Sequence, residues 1–133
     1  MIAVDVNVLA YLLIEGEMTP QAQALFSADD DWISPRLWRS EFRNVLAGYV
    51  KQGLMSLDEA TALMADAVTI VDDGIIDVDS DRVLALAVQS GCTAYEMEYV
   101  SLAESLGISL VTADKQVLKA FPAIASSLAG GLA

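Results

Sequence analysis

The sequence Ile2-Ala-Val-Asp5-Val-Asn7 places a short apolar run directly before an acid, and an amphipathic segment, Val8 to Glu15, follows at once. This order predicts a β-strand that ends at Asp5 and passes into a helix. A second junction of the same kind, Ile108-Ser-Leu-Val-Thr112-Ala-Asp114, lies near the other end of the chain. Open α/β sheets bind ligands at the carboxyl ends of their strands. If both strands are parallel in one sheet, Asp5 and Asp114 lie on the same edge.

The composition limits the kinds of protein that this chain can be. A length of 133 residues, 55% of them hydrophobic, predicts a single domain over residues 1–133 with its own core. A single cysteine, Cys92, excludes an internal disulfide bond, and the absence of histidine excludes Ser-His or Cys-His catalysis and argues against an ordinary zinc site. No apolar run reaches the ~18 residues of a membrane span. With no signal-peptide pattern either, we expect a cytoplasmic protein.

The net charge of −12 repels a naked polyanion and favours a basic partner or hard metal ions. A polyanionic substrate would therefore need bridging metal ions or a local basic patch. Arg36, Arg39 and Arg43 form one stripe along a predicted helix. That stripe is either a solvated face that pairs with nearby acids or a contact for phosphate or for a protein partner. Lys115, next to Asp114, is either a surface residue or a contact for a scissile phosphate.

The rest of the chain alternates predicted strands with predicted helices. The strands are expected at 1–5, 32–34, 69–71 and 108–111, and the helices at 7–15, 20–28, 36–52, 56–68, 80–89, 93–107 and 114–120. The Ala- and Gly-rich tail carries only a weak pattern. This alternation predicts an α/β layer fold with a mainly parallel sheet.

Two glutamates lie on helix faces that are otherwise apolar. Glu41 has no basic residue three or four positions away, so it either reaches out to water or faces inward as a metal ligand. Glu96 has a similar placement, but Thr93-x-x-Glu96 also matches a capping box. Asp5 and Asp114 could likewise be helix N-caps. Each acid taken alone therefore has a structural explanation.

The four acids together point to a metal site. Two are expected at strand ends and two on inward helix faces, and without histidine an all-oxygen site suits Mg²⁺ or Mn²⁺. Such ions polarise a phosphoryl oxygen and activate a bound water molecule. The set predicts phosphodiester hydrolysis that needs no protein nucleophile.

Four motifs in this order resemble a PIN domain. They are Asp5-Val-Asn7, Arg39-Ser-Glu41, Tyr95-Glu96-Met-Glu-Tyr99-Val-Ser-Leu-Ala103 and Leu110-Val-Thr112-Ala-Asp114. Within that family the chain looks most like the toxin ribonucleases of bacterial VapBC toxin–antitoxin pairs. The resemblance covers essentially the whole chain. It implies a three-layer α/β/α sandwich around a central, mainly parallel sheet.

The resemblance also implies an activity and partners. These are Mg²⁺- or Mn²⁺-dependent endoribonuclease activity on RNA, inhibition by a VapB-type antitoxin, and a homodimer. Carried over by position, the catalytic and metal-binding acids are Asp5, Glu41, Glu96 and Asp114. Asn7 resembles the polar residue that supports the first acid, and Thr112 the one that supports the last.

One position departs from the family pattern, because the third acid usually is an aspartate after tyrosine and here is Glu96. The extra methylene moves the carboxylate by roughly 1.5 Å. Since Mg²⁺ demands near-octahedral geometry, the second metal position is expected to be looser or absent. Glu98 is not an easy replacement, because two residues further along a helix it points about 200° away.

Two other functional classes stay open at this point. One is an inert PIN-like binding module with a degraded metal site, which the Glu96 departure and the acidic charge favour. The other is a receiver-like signalling domain, which also has aspartates at strand ends. A receiver needs an acidic pair after the first strand and a phosphoacceptor on a middle strand. The sequence offers only Asp5 and Trp32-Ile-Ser34 at those places.

Overall fold

A five-stranded, fully parallel sheet forms the centre of the computed structural model, which describes residues 1–74 and 77–131. In the sheet the strands follow the order β3-β2-β1-β4-β5. The strands are β1 (Ile2–Val4), β2 (Trp32–Ile33), β3 (Val71–Asp72), β4 (Leu110–Val111) and β5 (Ala125–Ser126).

Eight helices of the described residues flank this sheet. They are α1 (Val6–Leu13), α2 (Thr19–Ala28), α3 (Leu37–Lys51), α4 (Leu57–Ile70), α5 (Ser80–Ser90), α6 (Ala94–Leu106), α7 (Lys115–Ala120) and α8 (Leu128–Gly131). Helix α3 packs against α1 and α4, whereas α6 packs against α5 and contacts β1 and β4. The predicted α/β layer fold with a parallel sheet is confirmed.

The structure differs from the predicted elements mainly at two places. Helix α4 continues to Ile70, so β3 begins at Val71 rather than at residue 69. The tail, which has only a weak pattern, contributes both β5 and α8. Strand β5 exists because it pairs with β4, where Leu110 is opposite Ala125. Such a short, small-residue strand depends on its tertiary neighbour and leaves little periodicity in the sequence.

The strand order reverses between β1 and β4, which makes the junction of these two strands a topological switch point. Ala3 is in register with Leu110, and Val4 with Val111. The N–H group of Asp5 donates to the carbonyl oxygen of Val111 at 3.0 Å. Ligands of open parallel sheets bind in the crevice outside the carboxyl ends of the strands at such a point.

The core is filled by large side chains, with Trp32, Trp38 and Phe42 each at most 1% exposed. None of the helices in residues 1–74 and 77–131 combines the length and apolar character needed to span a bilayer. One buried polar group stands out in this core. The hydroxyl of Ser101, on α6, is fully buried and has no hydrogen-bond partner among the described residues.

Replacing Ser101 with alanine is expected to stabilise the fold by about 1 kcal/mol, because a buried hydroxyl without a partner costs roughly 1–3 kcal/mol. The measurement is the free energy of unfolding from urea denaturation at constant m-value. Ser105→Ala is the matched control, since Ser105 is exposed on the same helix and its replacement changes only helix propensity, by roughly 0.5 kcal/mol. A destabilised Ser101→Ala protein would show that the hydroxyl is satisfied after all.

Candidate acidic site

Asp5 lies at the carboxyl end of β1 and is held on both of its side-chain oxygens. Oδ1 accepts a hydrogen bond from the N–H of Val6 at 2.7 Å, which makes Asp5 the N-cap of α1. Oδ2 accepts from the Thr112 hydroxyl at 2.7 Å. Thr112 is fully buried, and its own oxygen accepts from the N–H of Asp114 at 3.0 Å. Thr112 therefore joins the two strand-end acids.

Asn7 and Asp114 complete this edge of the sheet. The side-chain oxygen of Asn7 accepts from the N–H of Ala113 at 3.1 Å, so it ties the start of α1 to the loop after β4. Asp114 caps α7, because its Oδ1 accepts from the N–H of Val117 at 3.0 Å. The structure thus brings Asp5, Asn7 and Thr112 together with Asp114. The Thr112 hydroxyl itself donates to the first acid rather than to the last.

Glu41, on α3, is partly buried and is bound by a residue of another helix. Its Oε1 accepts a hydrogen bond from the hydroxyl of Tyr99, on α6, at 2.6 Å. Tyr99 is only 2% exposed. No local pattern marks the hydroxyl as a partner of Glu41, because 58 residues separate the two.

The pKa values of Asp5 and Glu41 are both raised by burial and by neighbouring acids. Burial raises the pKa of Asp5 and the charge of Asp114 raises it further, against the hydrogen bonds from Thr112 and Val6. Burial also raises the pKa of Glu41, and the charges of Asp5, Glu98 and Glu96 add to this effect, against the hydrogen bond from Tyr99. The charges that act on these two carboxyl groups are negative. The site therefore carries uncompensated negative charge.

Glu96 adopts the structural alternative that its sequence allowed. Its Oε2 accepts from the N–H of Thr93 at 2.9 Å, and the Thr93 hydroxyl accepts from the N–H of Glu96 at 3.1 Å. These two bonds form a complete capping box at the start of α6. The carboxylate of Glu96 is therefore turned back toward its own helix.

Glu98 also lies in this region, although its position on the helix predicted that it could not easily replace Glu96. It is partly buried, and burial raises its pKa. Its negative charge raises the pKa of Glu41, as that of Glu96 does, and it also raises the pKa of Tyr99. The sequence shows only that Glu96 and Glu98 point in different directions on α6. It does not show which of these directions faces α3. Because the capping box holds Glu96, Glu98 competes with it for the role of third acid.

The donor set of this site fits a hard divalent cation, because it consists of carboxylate oxygens. Within residues 1–74 and 77–131, no three acidic or cysteine side chains are gathered tightly enough to hold an ion as they stand. The cap bonds of Glu96 and Asp114 explain part of this spacing. Mutual repulsion of like charges also keeps the carboxylates apart. An ion shared by several of these acids would require side-chain rotation, above all by Glu96.

The arginine stripe is divided among three environments. Arg39 donates to Asp73 at 2.6 Å, and the Trp38 indole donates to the same carboxylate at 3.0 Å. Arg36 is exposed and lines a small recess of about 130 Å³ together with Glu98. Arg43 is exposed at an apolar groove between α3 and α4. Ion pairing accounts for Arg39, while Arg36 shares its recess with Glu98, an acid of α6.

A receiver-like domain is not supported by this geometry. The receiver fold has the strand order 2-1-3-4-5, whereas the sheet here has the order 3-2-1-4-5. On the middle strand considered for a phosphoacceptor, the Ser34 hydroxyl is buried and donates to the carbonyl oxygen of Val4 at 2.6 Å.

Removing the charge of Asp5 is expected to stabilise the metal-free protein at neutral pH. Because the folded-state pKa is raised, the proton stabilises the fold at low pH, and this contribution is lost as pH rises through the folded pKa. In chelator, Asp5→Asn should therefore melt at a higher temperature than wild type at pH 7.5, and the difference should shrink toward pH ~4. Asn keeps an oxygen for the Val6 N–H.

Thermal melts across this pH range test the prediction. Asp30→Asn, which changes an exposed carboxylate, controls for net charge. A wild type that is the more stable protein at pH 7.5 would contradict the assignment of uncompensated charge to Asp5.

Comparison with known proteins supports the family and the fold of this chain. The family model of the PIN domain matches residues 2–123. The chain is 30% identical over 127 residues to Ribonuclease VapC3 of Pyrobaculum aerophilum, covering 92% of this chain and 96% of that protein.

Two solved structures share the fold. The crystal structure of PAE2754 from Pyrobaculum aerophilum has a TM-score of 0.79 at 22% identity and covers 98% of this chain and 90% of that one. A toxin–antitoxin complex from Klebsiella pneumoniae has a TM-score of 0.65 at 19% identity and covers 96% of this chain and 98% of that one. The match of the family model over nearly the whole chain shows that this protein belongs to the PIN domain family.

Proposed function

We propose that this PIN domain is an Mg²⁺- or Mn²⁺-dependent endoribonuclease and the toxin of a type II toxin–antitoxin pair. The observation that carries the proposal is the position of Asp5 and Asp114 at the β1–β4 switch point. The negative charge of Asp114 acts on Asp5, and that of Asp5 acts on Glu41. A divalent ion would stabilise such a group of acids. The similarity to a protein named Ribonuclease VapC3 supports RNA as the substrate.

In this proposal Asp5, Glu41 and Asp114 are the main metal ligands, and Glu96 completes the second-metal side. The bound ion would polarise a phosphoryl oxygen and supply an activated water molecule. Within the chain, the Thr112 hydroxyl fixes the orientation of the Asp5 carboxylate. Asn7 holds the loop that carries Asp114 against the start of α1.

RNA must approach a protein of net charge −12, so local positive charge has to offset the repulsion. Arg36 is exposed beside Glu98, and Lys115 is exposed directly after Asp114. We propose that these two residues contact phosphates on either side of the scissile bond. The remainder of the acidic surface favours a basic protein partner.

The partners belong to the same proposal and are a VapB-type antitoxin and a second copy of the chain. One structural neighbour is described as a toxin–antitoxin complex, which supports the first. Two exposed apolar surfaces offer room for protein contacts. One is the groove of about 510 Å³ between α3 and α4, and the other carries Leu84, Val88 and Tyr95, which are 60%, 85% and 64% exposed. Such a pair would act on cellular RNA in the cytoplasm.

The capping box of Glu96 favours a second candidate function, an inert PIN-like binding module. If the box is never released, the third acid of the family pattern contributes nothing to metal binding. Calorimetric titration with Mn²⁺ separates the two functions. Saturable binding at or below millimolar Mn²⁺ supports the nuclease, and its absence supports the inert module.

Asp5→Asn is expected to reduce cleavage of RNA by about 100-fold or more, because it removes a charged ligand while keeping the cap of α1. The measurement is the rate of cleavage of a defined single-stranded RNA in Mn²⁺ and in Mg²⁺. Asp30→Asn, with the same change in net charge at an exposed site, should cleave at the wild-type rate. Equal rates for wild type and Asp5→Asn would remove this mechanism.

Comparing Glu96→Gln with Glu98→Gln identifies the third acid. In Glu96→Gln the new amide retains an oxygen for the Thr93 N–H, so the capping box survives while the charge is lost. We expect Glu96→Gln to lower Mn²⁺-dependent cleavage about 10- to 100-fold and Glu98→Gln to leave it within a factor of about 3. The opposite ranking would assign the third position to Glu98.

A further inference from the structure

Tyr99 is a buried residue of α6 whose side chain donates a hydrogen bond to one of the site acids, Glu41 on α3. Its ring is packed in the core and only 2% exposed. Its hydroxyl donates to Oε1 of Glu41 at 2.6 Å. No other hydrogen bond of Tyr99 through its hydroxyl is found in residues 1–74 and 77–131. The bond connects α6 to α3 at the level of the site.

This bond restrains a side chain that would otherwise have considerable freedom. Glutamate loses rotamer entropy when it is fixed, and the negative charges of Asp5, Glu98 and Glu96 repel the Glu41 carboxylate, which raises its pKa. A short bond from a hydroxyl to a carboxylate is among the stronger hydrogen bonds. Tyr99 itself cannot move far, since its ring is buried. The bond therefore holds Glu41 near Asp5 against electrostatic repulsion.

We propose that Tyr99 is a positioning residue, which holds one oxygen of Glu41 so that the other is presented to a divalent cation shared with Asp5. The inference rests on the proposed metal site and deepens it, because it names what organises that site before the ion arrives. Residues that hydrogen-bond to metal ligands orient them, and their loss commonly lowers metal affinity 10- to 100-fold.

A purely structural role for the same bond is the alternative. A buried tyrosine hydroxyl needs a partner, and Glu41 satisfies it. Both roles predict some loss of stability when the hydroxyl is removed. Only positioning predicts a loss of metal affinity in a protein that remains folded, so the two roles are separable by experiment.

The test compares Tyr99→Phe with wild type, using Mn²⁺ alone as the probe in calorimetry. Phenylalanine keeps the ring in the core and removes the hydroxyl alone. Tyr49→Phe is the matched control, since Tyr49 is partly buried on α3 and makes no side-chain hydrogen bond among the described residues. Thermal melts in chelator accompany each titration. Cleavage rates measured at increasing Mn²⁺ concentrations give two separate parameters, the Mn²⁺ concentration at half-maximal rate and the maximal rate.

Positioning predicts that Tyr99→Phe binds Mn²⁺ about 10- to 100-fold more weakly, while Tyr49→Phe binds like wild type. Saturating Mn²⁺ should restore most of the maximal cleavage rate of Tyr99→Phe. Wild-type affinity in folded Tyr99→Phe would overturn the inference. If Asp5→Asn also binds Mn²⁺ like wild type, the proposed metal site itself is wrong, and this outcome is distinct from failure of Tyr99 alone.

A second measurement uses the wild-type protein and does not depend on the folding of a variant. If Glu41 holds Mg²⁺, its carboxylate would lose electron density to the ion and would accept a weaker hydrogen bond from Tyr99. The ring resonances of Tyr99 in an NMR titration with Mg²⁺ should therefore shift, and those of Tyr49 should not. Unchanged Tyr99 resonances at Mg²⁺ concentrations that shift Asp5 would contradict the proposal.

Discussion

The parallel pairing of β1 with β4 is the constraint on which the rest of the site depends. Because Val4 and Val111 are in register, the next residues of both strands leave the sheet at the same edge. The hydrogen bond from Thr112 to Asp5 then fixes the distance between the two loops. Helices α3 and α6 bring Glu41, Glu96 and Glu98 close enough to this edge for their charges to interact. An antiparallel arrangement of the two strands would place Asp5 and Asp114 at opposite ends.

This arrangement gathers carboxylates at the edge of the sheet, where burial already disfavours their charged forms. Asp5 and Glu41 have raised pKa values because they are withdrawn from water and face other acids. A protein can tolerate such a cost at a functional site, where stability and activity commonly oppose each other. Some acids elsewhere are paired, as Glu104 is with Arg82 at 2.6 Å. The burial of unpaired acids beside one another supports a functional reason for their position.

The sequence predicted the features that depend on local pattern and missed those that depend on packing. Strand–acid junctions located Asp5 and Asp114, and an apolar helix face located Glu41. Strand β5 escaped prediction because it depends on β4, and the Tyr99 bond because its partner is distant in the chain. The sequence also did not determine whether Glu96 or Glu98 is the third acid of the site. A glutamate three residues after Thr93 fits both a capping box and a metal site, so the sequence alone does not distinguish the two roles.

Diffraction from crystals grown with Mn²⁺, measured near the manganese absorption edge, tests the central claim most directly. The account predicts an anomalous peak at the carboxyl ends of β1 and β4, bonded to carboxylate oxygens of Asp5 and Asp114, with Glu41 as ligand and Tyr99 behind it. Manganese bound only elsewhere on the protein, with the carboxylates of Asp5 and Glu41 free of it, would contradict the account.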